Sequence, residues 1–162
     1  MKNSCNIATP EFILQVETIA PSQTGRSGLV QKQYPCRLVL RDGTVVPRAI
    51  CLEDHRGFTA DWWIHPGNVA RVEETFERMP ASLASKIYAA GESGMGYQIF
   101  LMKYDDGTSQ VFVTGNKIDF PDYPFEYDSR RVADVFPHQG RDQSKKGFRR
   151  ERDFQWCFYV NE

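Results

Sequence analysis

The chain has 162 residues, 41% of them hydrophobic and 25% charged, with 20 Lys and Arg against 21 Asp and Glu for a formal net charge of −1. Such a chain fits a single domain over 1–162 and buries about 70% of its unfolded surface, so it needs neither metal nor disulfide to build a core. Balanced charge argues against a wholly electrostatic partner, and no apolar run is long enough to cross a bilayer. The opening MKNSCNIATPEF has neither an apolar h-region nor a cleavage-like site. Cys5, Cys36, Cys51 and Cys157 form no CxxC pair. They read as reduced thiols of a cytoplasmic protein, with no metal and no cofactor expected, because structural zinc sites bring ligands in closely spaced pairs.

Phe12, Leu14 and Val16 alternate with Gln15 and Glu17, which predicts a half-buried strand over Glu11 to Ile19. PSQTGRSG (21–28) is a loop by composition. YPCRLVLRDGTVVPRAICLE is a hairpin. Asp42-Gly43 suits a two-residue type I′ turn, which pairs Leu40 with Val45, Leu38 with Pro47, Cys36 with Ala49 and Tyr34 with Cys51. Pro47 lacks an N–H and so predicts an edge or a bulge. Arg37 and Arg48 then face each other on the polar side, where each pairs with a carboxylate or both grip an anion.

EDHRGFTADWWIHPGN holds His55, Asp61, Trp62, Trp63 and His65. Adjacent strand tryptophans point to opposite faces, one to the core and one outward as an interface anchor. The stretch 68–79 is open between helix and strand, with a short strand preferred. PASLASKIYAAG predicts a helix with Pro80 at its start, Gly91 just past its end, and Leu83, Ala84, Ile87 and Tyr88 as its apolar stripe. GESGMGYQIF follows. Phosphate-cradling glycines precede a helix, whereas these follow one, so Gly94 and Gly96 belong to a surface loop that can close over a ligand or press on a partner.

YQIFLMKYDDGTSQVFVTG is a second hairpin turning at Asp106-Gly107. Phe100, Met102, Val111 and Val113 are placed on one side, and Ile99, Leu101 and Phe112 on the other. Its likeness to the first hairpin is read as convergent turn chemistry rather than duplication. DSRRVADVF predicts a short helix capped by Asp128 or Ser129. Residues 138–152 form a polar basic loop, and DFQWCFYV closes the chain as a strand with Phe154, Trp156, Phe158 and Val160 on one face.

These elements predict an α+β fold: an antiparallel, meander-rich sheet with one or two helices packed on one face. Between Ser129 and Asp153, eight cations face four anions. Arg130, Arg131, Arg141, Lys145, Lys146, Arg149 and Arg150 are the binding candidates there, for nucleic acid, a phosphorylated ligand or an acidic partner. His138, His55 and His65 are the acid/base candidates. The first functional reading is a small binding module that contacts a protein or acidic partner through loops and exposed aromatics (Trp62, Trp63). The alternative is an enzyme on a phosphorylated or nucleic-acid substrate, with a histidine acid/base and an arginine phosphate clamp.

Overall fold

The structure, a computed structural model, describes residues 6–25, 31–54, 63–144 and 150–162. Its elements are α1 (Pro10–Glu17), β1 (Ser22–Thr24), β2 (Gln31–Leu40), β3 (Val45–Glu53), β4 (Val69–Glu73), α2 (Ala81–Ala90), β5 (Gln98–Tyr104), β6 (Ser109–Thr114), β7 (Val132–Pro137), α3 (Arg141–Ser144) and β8 (Gln155–Tyr159). The fold is α+β with sheets that are mainly antiparallel. The chain divides into two compact units. The first is Met1–Pro21, Lys32–Thr75 and Phe154–Glu162; the second is Ser22–Gln31 and Phe76–Asp153.

In the first unit, β2 pairs antiparallel with β3 and with β4, and β3 pairs parallel with β8. The stretch predicted as an N-terminal strand is the helix α1. Thr9 caps it by accepting the Phe12 N–H at 3.2 Å, and Pro10 fits its first turn. Phe12 and Val16 satisfy a strand alternation and a helical i, i+4 spacing equally well; Leu14, 66% exposed, separates the two. The C-terminal strand turns its other face inward. Cys157 and Tyr159 are buried, while Trp156 and Phe158 stack outward at 5.1 Å. Cys36, Cys51 and Cys157 are free thiols and fully buried together, with Cys36 and Cys51 sulfurs 3.7 Å apart. The Cys51 thiol is held well above its ordinary range, first by its hydrogen bond with Cys157 and further by burial.

In the second unit, β5 lies between β6 and β7, all antiparallel. Ala84, Ile87 and Tyr88 of α2 join Phe100, Met102 and Phe112 of the hairpin in one core. Gly91 ends α2 at φ 77°, the left-handed conformation that favours glycine. The stretch 68–79 carries the strand β4. DSRRVADVF is not a helix: its first residues make a 3-10 turn (Ser129–Arg131) capped by Asp128, and the rest is β7. The segment 21–28, read as loop, contributes β1, which packs against α2. The segment 138–152, read as a polar basic loop, contains the short helix α3 at Arg141–Ser144.

Both hairpins turn through three residues, not two. Leu40 accepts the Gly43 N–H at 3.0 Å and donates its own N–H to Thr44 O at 2.8 Å; Tyr104 does the same with Gly107 (3.1 Å) and Thr108 (2.8 Å). Only the glycines carry positive φ, +88° and +86°. This is a type I turn followed by a glycine bulge. The extra residue shifts the register by one. In the second hairpin, Phe100 faces Phe112 and Leu101 faces Val111, so the β6 side chains swap faces relative to the prediction. In the first, Val39 faces Val45 and Leu38 faces Val46, and a bulge between Cys36 and Leu38 then restores the predicted Cys36–Ala49 and Tyr34–Cys51 pairs.

The likeness of the hairpins extends beyond turn chemistry. Each unit runs helix, hairpin, 3-10 turn, then a strand returning antiparallel along the first hairpin strand. The turn residue after that strand donates to the last residue of the 3-10 turn in both cases: Arg41 N to Asn68 O and Asp105 N to Arg131 O, each 2.8 Å. The fold is thus one plan written twice, with unequal additions.

Candidate contact surface of the second unit

The glycine loop between α2 and β5 is tied down from several directions. Ser93 donates its N–H to Tyr97 O at 3.0 Å, closing the loop on itself. The Ser93 hydroxyl accepts the Ile99 N–H at 2.7 Å and lies 2.8 Å from His138 Nδ1. Arg141 donates to Ser93 O at 2.8 Å and to the Tyr97 hydroxyl at 3.1 Å. Glu92 accepts the Gly96 N–H at 3.2 Å.

His138 is placed for this by its backbone. It stands at φ 67°, just past β7, with its N–H on Ile99 O at 2.7 Å. Its Nε2 lies 3.1 Å from Ala90 O. A carbonyl only accepts, so Nε2 donates to Ala90 O, and the other ring nitrogen faces the Ser93 hydroxyl, which also lies 3.2 Å from Ile99 O. The result is a serine–histidine contact with a carbonyl orienting the ring, an arrangement that activates nucleophiles elsewhere. Here each partner also holds the loop.

Glycine is needed at two positions of the loop for different reasons. Gly96 has φ +80° in open space, whereas a Cβ on Gly94 would run into the Tyr97 ring. Met95, between them, is 97% exposed.

The sequence candidates divide as follows. His138, Arg141, Gly94 and Gly96 come together at this loop. Arg130 and Arg131 lie at the opposite end of β7, a six-residue strand that spans about 20 Å. Both are engaged there: Arg130 with Asp128 at 2.6 Å, and Arg131 with Asp105 at 3.0 Å and Asp106 at 3.4 Å. Hydrogen bonds from Thr108 and then Tyr127 hold the Asp106 carboxyl down at about 2. Arg150 donates its N–H to Val113 O at 2.9 Å. The phosphate clamp drawn from Arg130 and Arg131 therefore does not meet His138.

His65 is in the first unit, where its Nδ1 accepts the Gly67 N–H at 3.0 Å and caps a 3-10 turn. Trp63 is half-buried, its ring 4.2 Å from Phe158. Arg37 pairs with Glu73 at 3.4 Å, the carboxylate alternative of the two weighed for it. His55, Trp62, Lys145, Lys146 and Arg149 lie outside the described residues.

Ser93 and Tyr97 are the participants the sequence did not mark. Ser93 sits in no nucleophile motif, and its partners come from 45 to 48 residues away. Among the described residues there is no group of His, Cys, Asp and Glu that could hold a metal, and no helix is long and apolar enough to cross a membrane. Comparison with protein-family models, with curated proteins and with solved structures finds no match to the chain.

Proposed function

We propose that the chain is an interaction module that receives a protein partner on the Gly91–Tyr97 loop, with Met95 as the anchor. The observation that carries this is the pairing of a fully presented apolar side chain with a backbone already fixed. Met95 is 97% exposed, while the residues flanking it are bonded to Glu92, Ile99, His138 and Arg141. A loop ordered in advance loses little entropy on binding. The flexible thioether adapts to an irregular apolar recess.

Contact is favoured over catalysis because the Ser93 hydroxyl, the one nucleophile the arrangement offers, is itself engaged with the Ile99 backbone, accepting its N–H at 2.7 Å and lying 3.2 Å from its carbonyl oxygen. Contact with protein is favoured over phosphate because Arg130 and Arg131 are already bound to carboxylates.

The test is photo-crosslinking in the cells that make the protein, with p-benzoylphenylalanine in place of Met95 or of the exposed Lys103. A discrete adduct is expected at 95 and not at 103. With that partner purified, Met95→Asp is expected to weaken binding at least about tenfold without changing the melting temperature. The same adducts at both positions, or equal affinity of Met95→Asp, would refute the proposal.

A further inference from the structure

The segment Pro121–Asp128 of the second unit lines an open groove of about 340 Å³, to which Glu77 and Arg152 also contribute. Two of its side chains are fastened by hydrogen bonds. The Tyr123 hydroxyl donates to Arg78 O at 3.0 Å. The Tyr127 hydroxyl donates to Asp106 at 2.7 Å, and its ring stacks on Tyr104 at 4.1 Å between centroids. Phe125, in contrast, is 94% exposed. Phe125 thus leaves an aromatic face open beside a concave surface, where a side chain from a partner can lie on it.

The charge of the groove says what that is. Its lining carries the carboxylates Glu77, Asp122, Glu126 and Asp128 against the single guanidinium of Arg152. Arg152 is shared between Glu77 at 3.0 Å and Asp122 at 3.5 Å, and Asp128 is bound by Arg130. Glu126 makes no ion pair among the described residues. It stands next to Phe125 in the chain, held at φ 85°.

We infer that this groove is a second recognition site, which takes an extended basic segment of a partner protein. An arginine of that segment lies on the face of Phe125 and reaches Glu126. The aromatic face attracts the cation through its quadrupole, and a guanidinium both stacks and forks onto a carboxylate. Pro121 and Pro124 alternate with the aromatic rings, and such a ridged, apolar wall suits an extended, proline-containing backbone. The carboxylate excess turns away acidic segments. Nothing in this site uses the glycine loop.

The experiment is fluorescence anisotropy with the purified chain and a labelled peptide of alternating arginine and proline. Controls are the same peptide with glutamate for arginine, and unlabelled spermine as competitor. The arginine peptide is expected to bind at least about tenfold more tightly than the glutamate peptide. Phe125→Ala is expected to weaken it about fivefold or more. Glu126→Gln should weaken it about threefold and reduce its salt dependence. Both variants should melt like wild type, and Met95→Asp should bind the peptide like wild type. Equal binding of the two peptides, or wild-type binding by both variants, would overturn the site. So would spermine competing as well as the peptide, since that marks diffuse attraction. Loss of peptide binding in Met95→Asp would show the groove is not an independent site.

Discussion

Asp119 is 1% exposed, and the Ser22 and Tyr88 hydroxyls donate to its two oxygens, Ser22 at 2.6 Å. Its carboxyl is nevertheless pushed up, because burial outweighs those bonds and the positive charges of Arg78 and Lys117. The folded chain therefore holds the Asp119 proton more tightly than the unfolded chain does. In the window between the unfolded value near 3.8 and the higher folded one, this residue makes stability fall as pH rises. Asp119→Asn is expected to flatten that slope, read from urea midpoints across mildly acidic pH. Asp119→Ala is expected to cost about 2 kcal/mol, because two buried hydroxyls lose their acceptor. An unaltered pH slope in Asp119→Asn would contradict this assignment. None of it was legible in the sequence. Ser22 sits in a stretch that reads as loop, and it meets Asp119 across 97 residues.

Among the elements, the two hairpins were legible in place and misjudged in detail. Asp-Gly flanked by apolar alternation correctly announces a turn. It does not say whether two residues or three make it, and the difference is one step of register. The exposed Leu14 shows the same limit for α1, since eight residues with two buried side chains fit either periodicity. The turn geometry leads to a paired prediction. Gly43 and Gly107 have nearly the same positive φ, and a Cβ at either meets open space, so only backbone conformation opposes a substitution. Gly43→Ala and Gly107→Ala are each expected to cost about 1 kcal/mol, and the asparagine variants less. Chemical denaturation of the four variants checks this. A large cost at only one of the alanines would mean that the two turns are not equivalent. The candidate loop was legible as a glycine-rich connection after a helix. Its fastening was not, because His138 and Arg141 reach Ser93 only through the β5–β7 pairing.

For the molecule as a whole, the described cysteines belong to one unit. Cys36, Cys51 and Cys157 are fully buried in the first, and the second contains no cysteine. Thiol chemistry is therefore a reporter for the first unit alone. In a Cys5→Ser background, the three thiols are expected to resist Ellman's reagent in buffer and to react together as urea unfolds that unit. Reaction without denaturant at the rate of a free thiol would show that the cluster opens in the native state. The sequence showed these cysteines scattered, and only the pairing of β2, β3 and β8 brings them together.

The first unit is also discontinuous in a way that orders its birth. Its chain departs at Thr75 and returns at Phe154 to lay β8 beside β3, matching Glu53 with Tyr159. On the ribosome, everything from Phe76 to Asp153 has been made before that last strand exists. All residues of the intervening unit are made first, while the first unit must wait with β3 unpaired along one side. Contacts between residues so far apart close slowly, and an exposed strand edge is where nascent chains associate wrongly. Until β8 is made, the half-finished first unit therefore carries an open strand edge along β3.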